Sequence, residues 1–281
     1  MLPTILTIAG SDSSGGAGIQ GDLKAIAANG GYGASVVTAI TAQNSRGVTE
    51  IDEVRAGMIR AQIDAVLGDL DVSAVKTGML ASREVIETVA ERLVSWGPEW
   101  LVCDPVMVSK SGARLLGEDA VDALVSEILP LASLVTPNID EATVLGGLRA
   151  RNREEAGEVG RRILGRGARA VLVKGGHLSD DPGTDVLVTA EGTRVFTAPW
   201  IDSEHTHGTG CTYSAAIATH LGRGLPLEDA IALSKEFLTE AIRAGGPIGH
   251  GVGPTDPFFF LREGSTRQWL ARIRRGEATR P

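Results

Sequence analysis

The rhythm of the chain limits its fold more than any other feature. Short apolar runs, many of them β-branched, alternate with longer stretches whose apolar residues recur every three or four positions. The pattern predicts strands over 5–9, 35–40, 74–76, 100–103, 134–136, 170–173 and 185–188, and helices over 17–29, 54–67, 82–95, 118–131, 153–166 and 211–223. The runs around Trp100 and Ala170 are apolar at successive positions, as parallel strands covered on both faces should be. The expected architecture is a doubly wound α/β fold, with a mostly parallel central sheet flanked by helices on both faces. No internal repeat or Pro/Ser-rich linker interrupts the 281 residues, so one domain is expected over 1–261. A basic tail over 262–281 follows, with six Arg against two Glu, and Trp269, Leu270 and Ile273 at helical spacing.

In open sheets of this kind, ligands bind outside the carboxyl ends of the strands. Composition narrows which ligands. Aromatic residues make up 4%, too few for a stacking platform for single-stranded nucleic acid, and the net charge of −8 disfavours nucleic acid or an anionic membrane as partner. Two cysteines make no disulfide framework; the first basic residue is Lys24, and no apolar run reaches the 18 residues of a membrane span. A cytoplasmic protein is expected. Glycine is in excess, 36 residues or about 13% against a usual value of roughly 7%. An anion bound by such a chain would be held by loop amides and a few placed cations.

The loops after the strands hold the candidates. Residues 10–22 contain a formal GxGxxG from Gly16 to Gly21. However, five residues separate Gly10 from the motif, and the next strand runs into Thr41, Ala42 and Gln43 rather than an acidic residue, so the dinucleotide context fails. A glycine-rich cup beside Asp22, open to a small ligand, fits better. Gln43 reads either as part of an ordinary polar loop or as an amide matched to the edge of an aminopyrimidine or pyridine ring. Ser73, Lys76, Thr77 and Gly78 formally spell the SxxK and KTG motifs of penicillin-binding enzymes, but the two share one lysine and that reading fails. Met79 reads as core or as an apolar ligand wall. Asp104, directly after a buried strand, suits Mg²⁺ or its waters. Asn138 and Glu141, three apart, suit a capping box or metal-bound water. Lys174, beside Gly175 and Gly176, suits a phosphate, whereas His177 reads as a hydrogen-bonded loop residue.

The strongest local signal is His207-Gly208-Thr209-Gly210-Cys211 leading directly into a helical stretch. Glycines let backbone N–H groups approach an anion, and a helix N-terminus adds roughly half a positive charge. This is an expected phosphate or oxyanion hole, and the same dipole is expected to favour the Cys211 thiolate. A small buried hydrophobe is the plainer reading of Cys211, and of Cys103 within its apolar strand. A metal set of His205, His207 and Cys211 lacks an evident fourth ligand.

Taken together, the segments 9–22, 38–44, 76–79, 104–108, 136–141, 174–177 and 207–211 resemble, in order, those of hydroxymethylpyrimidine/phosphomethylpyrimidine kinases in the ribokinase-like superfamily. The resemblance covers residues 5 to about 256. It implies ATP- and Mg²⁺-dependent phosphorylation of a pyrimidine hydroxymethyl group, then of the monophosphate, by a homodimer. Gly10, Asp22, Gln43, Met79 and Val106 would line the pyrimidine pocket. Asp104, Asn138 and Glu141 would organise Mg²⁺ and its waters, with Asp104 and Glu141 as metal residues. Lys174 and Thr209 would meet ATP phosphates, Gly208, Thr209 and Gly210 would form the anion hole, and Cys211 would be the base. The alternatives are a pyridoxal/pyridoxine kinase of the same superfamily and a non-catalytic pyrimidine or nucleotide sensor.

Overall fold

The computed structural model describes residues 2–108, 112, 115–176, 178, 179 and 181–261. The tail over 262–281 and His177 lie outside the described residues. In chain order the elements are β1 (Thr4–Asp12), α1 (Gly18–Ala28), β2 (Tyr32–Asn44), β3 (Gly47–Glu53), α2 (Ala56–Leu67), β4 (Val72–Thr77), α3 (Arg83–Trp96), β5 (Leu101–Cys103) and α4 (Glu118–Ala123). They continue with β6 (Leu134–Val135), α5 (Ile139–Gly146), α6 (Arg153–Leu164), β7 (Ala170–Gly175), β8 (Thr184–Thr189), β9 (Gly192–Thr197), α7 (Thr209–Gly222) and α8 (Leu227–Arg243).

All nine strands join one sheet of order β3-β2-β1-β4-β5-β6-β7-β8-β9. The pairings from β2 through β1, β4, β5 and β6 to β7 are parallel, and β3, β8 and β9 add antiparallel edges. The alternation of side chains divides the core in two. Leu6, Ile8, Val75, Leu101, Cys103, Val135, Val171 and Val173 pack with α2 to α6 on one face. Their neighbours Ile5, Ala74, Val102, Leu134, Ala170 and Leu172 pack with α1, α7 and α8 on the other. This confirms the doubly wound arrangement, and Cys103 is a core residue.

The predicted strands and helices are all present, with differences that have physical causes. The helix expected over 118–131 changes hydrogen-bond register, passing from α4 into a π turn over Leu124–Ile128 and a 3₁₀ turn over Leu129–Leu131. Pro130 supplies no N–H and its ring clashes with the preceding turn, so the α-helical ladder cannot continue. β3 and β9 escaped prediction because they are edge strands whose side chains stay largely exposed, leaving little apolar alternation. α8 is the larger omission, since Ala230, Ile231, Leu233, Phe237, Leu238 and Ala241 bury a stripe at regular helical spacing. No helix among the described residues is long and apolar enough to cross a membrane.

The chain winds from β1 toward β2 in one direction and from β4 toward β7 in the other. The gap between the carboxyl ends of β1 and β4 is therefore the switch point where such sheets open a crevice. α7 packs across β1, β4 and β5 and brings its N-terminus to that edge.

Candidate active site

Parallel register puts the last residues of β1, β4, β5, β6 and β7 along a single edge. Asp104 follows β5 and Lys174 ends β7, and their side chains meet at 2.8 Å although 70 positions separate them. Ser214 of α7 donates to the second Asp104 oxygen at 3.2 Å, and Thr136 donates to the first at 3.3 Å. Although burial opposes ionisation, Lys174 and Lys76 hold the Asp104 carboxyl below its usual range. Conversely, Asp104 and Glu141 keep Lys174 in its ammonium form against the same burial penalty.

The N-terminus of α7 faces this pair. A Cβ built on Gly210 would lie 3.3 Å from Lys174 Nζ and 3.5 Å from Asp104 Oδ2. Gly208, the N-cap, has φ +77°, and a Cβ there would stand 1.9 Å from the Gly16 carbonyl oxygen. Only glycine permits both the left-handed backbone and this contact. Thr209 differs from expectation: its hydroxyl donates to the Thr206 carbonyl at 2.7 Å, and its N–H faces the same oxygen. The first-turn amides left for an anion are those of Gly210 and Cys211.

The expected preference of Cys211 for the thiolate is overturned. Burial, reinforced by the nearby Asp22 and Asp104 carboxylates, pushes the thiol up to about 12; Lys76 and the Gly18 N–H only partly offset them. A first-turn dipole is a local half-charge, and here the cost of burying a thiolate outweighs it.

Asn138 and Glu141 form the capping box of α5. Glu141 N–H donates to Asn138 Oδ1 at 2.9 Å, and Asn138 N–H donates to Glu141 Oε2 at 2.8 Å. The Asn138 acceptor is thus used locally, while Glu141 also shares the charge field of Lys174 and Asp104. Its buried carboxyl is pushed up to about 7, with Asp104 adding to the effect of burial.

Met79 packs with Ala39 and Ala81, and half-buried Val106 and Leu115 lie against them. Gly10 abuts this cluster, since a Cβ there would sit 3.0 Å from Met79 Sδ. The structure therefore unites Gly10, Met79 and Val106 as an apolar wall. Half-buried Gln43 is tied to the glycine-rich loop by Ser13, whose hydroxyl donates to its carbonyl at 2.7 Å and accepts from its N–H at 2.8 Å. Asp22 stands behind the wall rather than on it. Its carboxylate is fully buried, accepting from Lys76 at 2.8 and 2.9 Å and from Thr7 at 2.6 Å.

Asp12 gained no role from the sequence. Asp12 ends β1 and accepts from the N–H groups of Ser14, Gly16 and Ala17, the Ser14 hydroxyl and His207 Nε2 at 2.9 Å. Burial disfavours its charge, yet these donors, His207 foremost, hold it well below the usual carboxylate range. An Asp followed by Ser-Ser-Gly-Gly was a readable turn signal, but its pairing with a residue 195 positions away was not. Because His207 serves Asp12, the His205–His207–Cys211 metal set finds no support, and no metal-binding group of three His, Cys, Asp or Glu occurs among the described residues.

The phosphomethylpyrimidine kinase family profile matches residues 12–256. A hydroxymethylpyrimidine/phosphomethylpyrimidine kinase of Rhizobium meliloti is 51% identical over 263 residues, covering 92% of this chain and 98% of that protein. The thiamine biosynthesis bifunctional protein ThiED of Geobacter sulfurreducens is 49% identical over 253 residues, and the match spans 90% of this chain but only 52% of that longer protein. Among solved structures, an ADP complex of Bacillus subtilis pyridoxal kinase superposes with a TM-score of 0.87 at 36% identity, covering 94% of this chain and 100% of that one. Phosphomethylpyrimidine kinase from Clostridium difficile 630 superposes with a TM-score of 0.77 at 45% identity, covering 85% and 99%. With the family profile spanning residues 12–256, all of the site described above except Gly10, the chain belongs to the phosphomethylpyrimidine kinase family.

Proposed function

We propose that this chain transfers the γ-phosphoryl group of ATP to the hydroxymethyl oxygen of 4-amino-5-hydroxymethyl-2-methylpyrimidine, and then phosphorylates the monophosphate, within thiamine biosynthesis. The observation that carries this reading is the meeting of the α7 N-terminus with Lys174 and Asp104 at the sheet edge, on the same edge as the Gly10–Met79–Val106 wall. Phosphoryl transfer consists mostly of positioning and charge stabilisation, and this arrangement supplies both.

The donor set fits a hydrated Mg²⁺. Two buried carboxylates, Asp104 and Glu141, raise each other's cost of ionisation beside a site for phosphate, and a cation there relieves it. Asp104 and Glu141 would hold the ion through its waters and the ATP phosphates, and Asn138 would keep Glu141 oriented. When bound, ATP·Mg²⁺ supplies the phosphoryl group and neutralises part of its charge. Lys174 then binds phosphate oxygens, and the amides of Gly210 and Cys211 stabilise the charge on the transferring group. As a thiolate, a form its high pKa makes scarce at neutral pH, Cys211 accepts the proton of the substrate hydroxyl and becomes the thiol. Asp22 acts from behind the pocket by fixing Lys76. The same reading takes 1–261 as the kinase domain, 262–281 as a basic appendage and the working form as a homodimer.

The high similarity to a pyridoxal kinase structure favours a second reading, with pyridoxal or pyridoxine as substrate. Initial rates with ATP on the hydroxymethylpyrimidine, its monophosphate, pyridoxal and pyridoxine separate the two. A higher kcat/KM on both pyrimidines is expected; preference for either pyridine overturns the first reading.

A further inference from the structure

The hydrogen-bond chemistry around Gln43 determines which way its amide faces. His207 Nε2 lies 2.9 Å from Asp12 Oδ2. An ionised carboxylate only accepts, so this ring nitrogen carries the hydrogen. The same nitrogen is 3.4 Å from the Gln43 Nε2 position, and two facing donors are avoided only when the amide is turned so that its oxygen stands there. On the other flank, Thr41 has a single hydroxyl hydrogen, and it goes to the Ser11 carbonyl at 2.7 Å. Its lone pairs then face the Gln43 Oε1 position at 3.2 Å, which the turned amide fills with its nitrogen. Both flanks select the same orientation.

We propose that His207 and Thr41 are positioning residues that hold Gln43 with its oxygen toward His207 and its nitrogen toward Thr41, so that the pocket presents one fixed donor–acceptor edge. One lone pair of the amide oxygen then lies beside the His207 N–H that Asp12 holds, one amide hydrogen lies beside the Thr41 lone pairs, and the other lone pair and hydrogen are left for a ligand. Ser13 pins the Gln43 backbone, and the two flanking groups restrict the side-chain torsions that remain. The ligand class is a heteroaromatic ring with an acceptor nitrogen next to an exocyclic amine. The 4-oxo analogue, with a ring N–H beside a carbonyl, presents the inverse pattern and pairs only with a reversed amide. This inference rests on the pyrimidine reading above.

The test is the ratio of kcat/KM for the 4-amino pyrimidine to that for its 4-oxo analogue, with KM for ATP and the unfolding temperature measured in parallel. Because a buried polar mismatch discriminates by tenfold or more, His207→Leu and Thr41→Val are each expected to lower the ratio about tenfold, through KM for the pyrimidine, while KM for ATP holds. Thr41→Ser, which keeps the hydroxyl, restores it. An equal loss on both rings, or an unchanged ratio, overturns the proposal. If His207→Leu does not fold, the near-isosteric Thr41 pair carries the test alone. Gln43→Ala separates the two layers: if that variant keeps the wild-type ratio, the Gln43–pyrimidine contact itself is wrong, whatever orients the amide.

Discussion

Glu141→Gln isolates the charge conflict at the centre of the site. The Glu141 carboxyl is pushed up to about 7 from an ordinary value of 4.5, by burial first and by Asp104 in addition, despite the pull of Lys174. The folded protein therefore binds this proton more tightly than the unfolded chain does. Stability from this group is full below about pH 4.5, falls as the pH rises to about 7, and is level above that. At about 1.4 kcal/mol per pH unit, the gap corresponds to about 3 kcal/mol lost at alkaline pH. A carboxamide cannot ionise, yet it still accepts from the Asn138 N–H, so the capping box survives. Thermal unfolding of both proteins without ligand, from pH 4.5 to 8.5, gives the readout. Relative to the wild type, the variant should gain roughly 6–12 °C between pH 4.5 and pH 8.5, from about 2–4 °C per kcal/mol in domains of this size, while the acceptor lost to the Met107 N–H costs the same at both. Titrations elsewhere cancel in the difference. A pH-independent offset would refute the reasoning, because Glu141 would then be ionised at no cost.

Two further outcomes follow from the same geometry. With the Cys211 thiol pushed up to about 12, the single-turnover rate should climb with near-unit slope in log k between pH 6 and 9. Cys211→Ala should lower it by about 10²–10⁴ and flatten the profile while sparing ATP binding; a wild-type rate already level across that range removes Cys211 as base. Gly208→Ala should cost at least about 2 kcal/mol in denaturant unfolding, since φ is +77° and its Cβ would overlap the Gly16 carbonyl; wild-type stability would mean that the two loops do not touch.

Local features of the site were legible in the sequence because their chemistry is local. A glycine-containing turn feeding a helix fixes where free amides point, and a lysine or aspartate directly after a buried strand must lie at the sheet's carboxyl edge. Hence Gly208, Gly210, Lys174 and Asp104 could be named together from pattern alone, as could the Asn138–Glu141 capping box. Gly10 and Val106 came instead from family resemblance and Met79 from its apolar side chain as well, and the structure brings them to one wall. α8 was legible too, in its regular apolar stripe, and was overlooked.

The doubly wound sheet and the place of the glycine turn that starts α7 follow from the residue pattern alone, through periodicities of two and 3.6 residues and backbone freedom at glycine. Tertiary structure alone decided the charge states and the partners. Cys211 is a thiol because folding buries it, with Asp22 and Asp104, distant in the chain, adding to the cost of its charge against the pull of Lys76. Asp22 turned inward because Lys76 and Thr7 meet it there. His207 found Asp12 across 195 positions because β1 and the start of α7 share one edge of the sheet. Long-range Coulomb and hydrogen-bond terms depend on distances that only the folded chain sets, and in a buried site they outweigh the local preferences that a sequence displays.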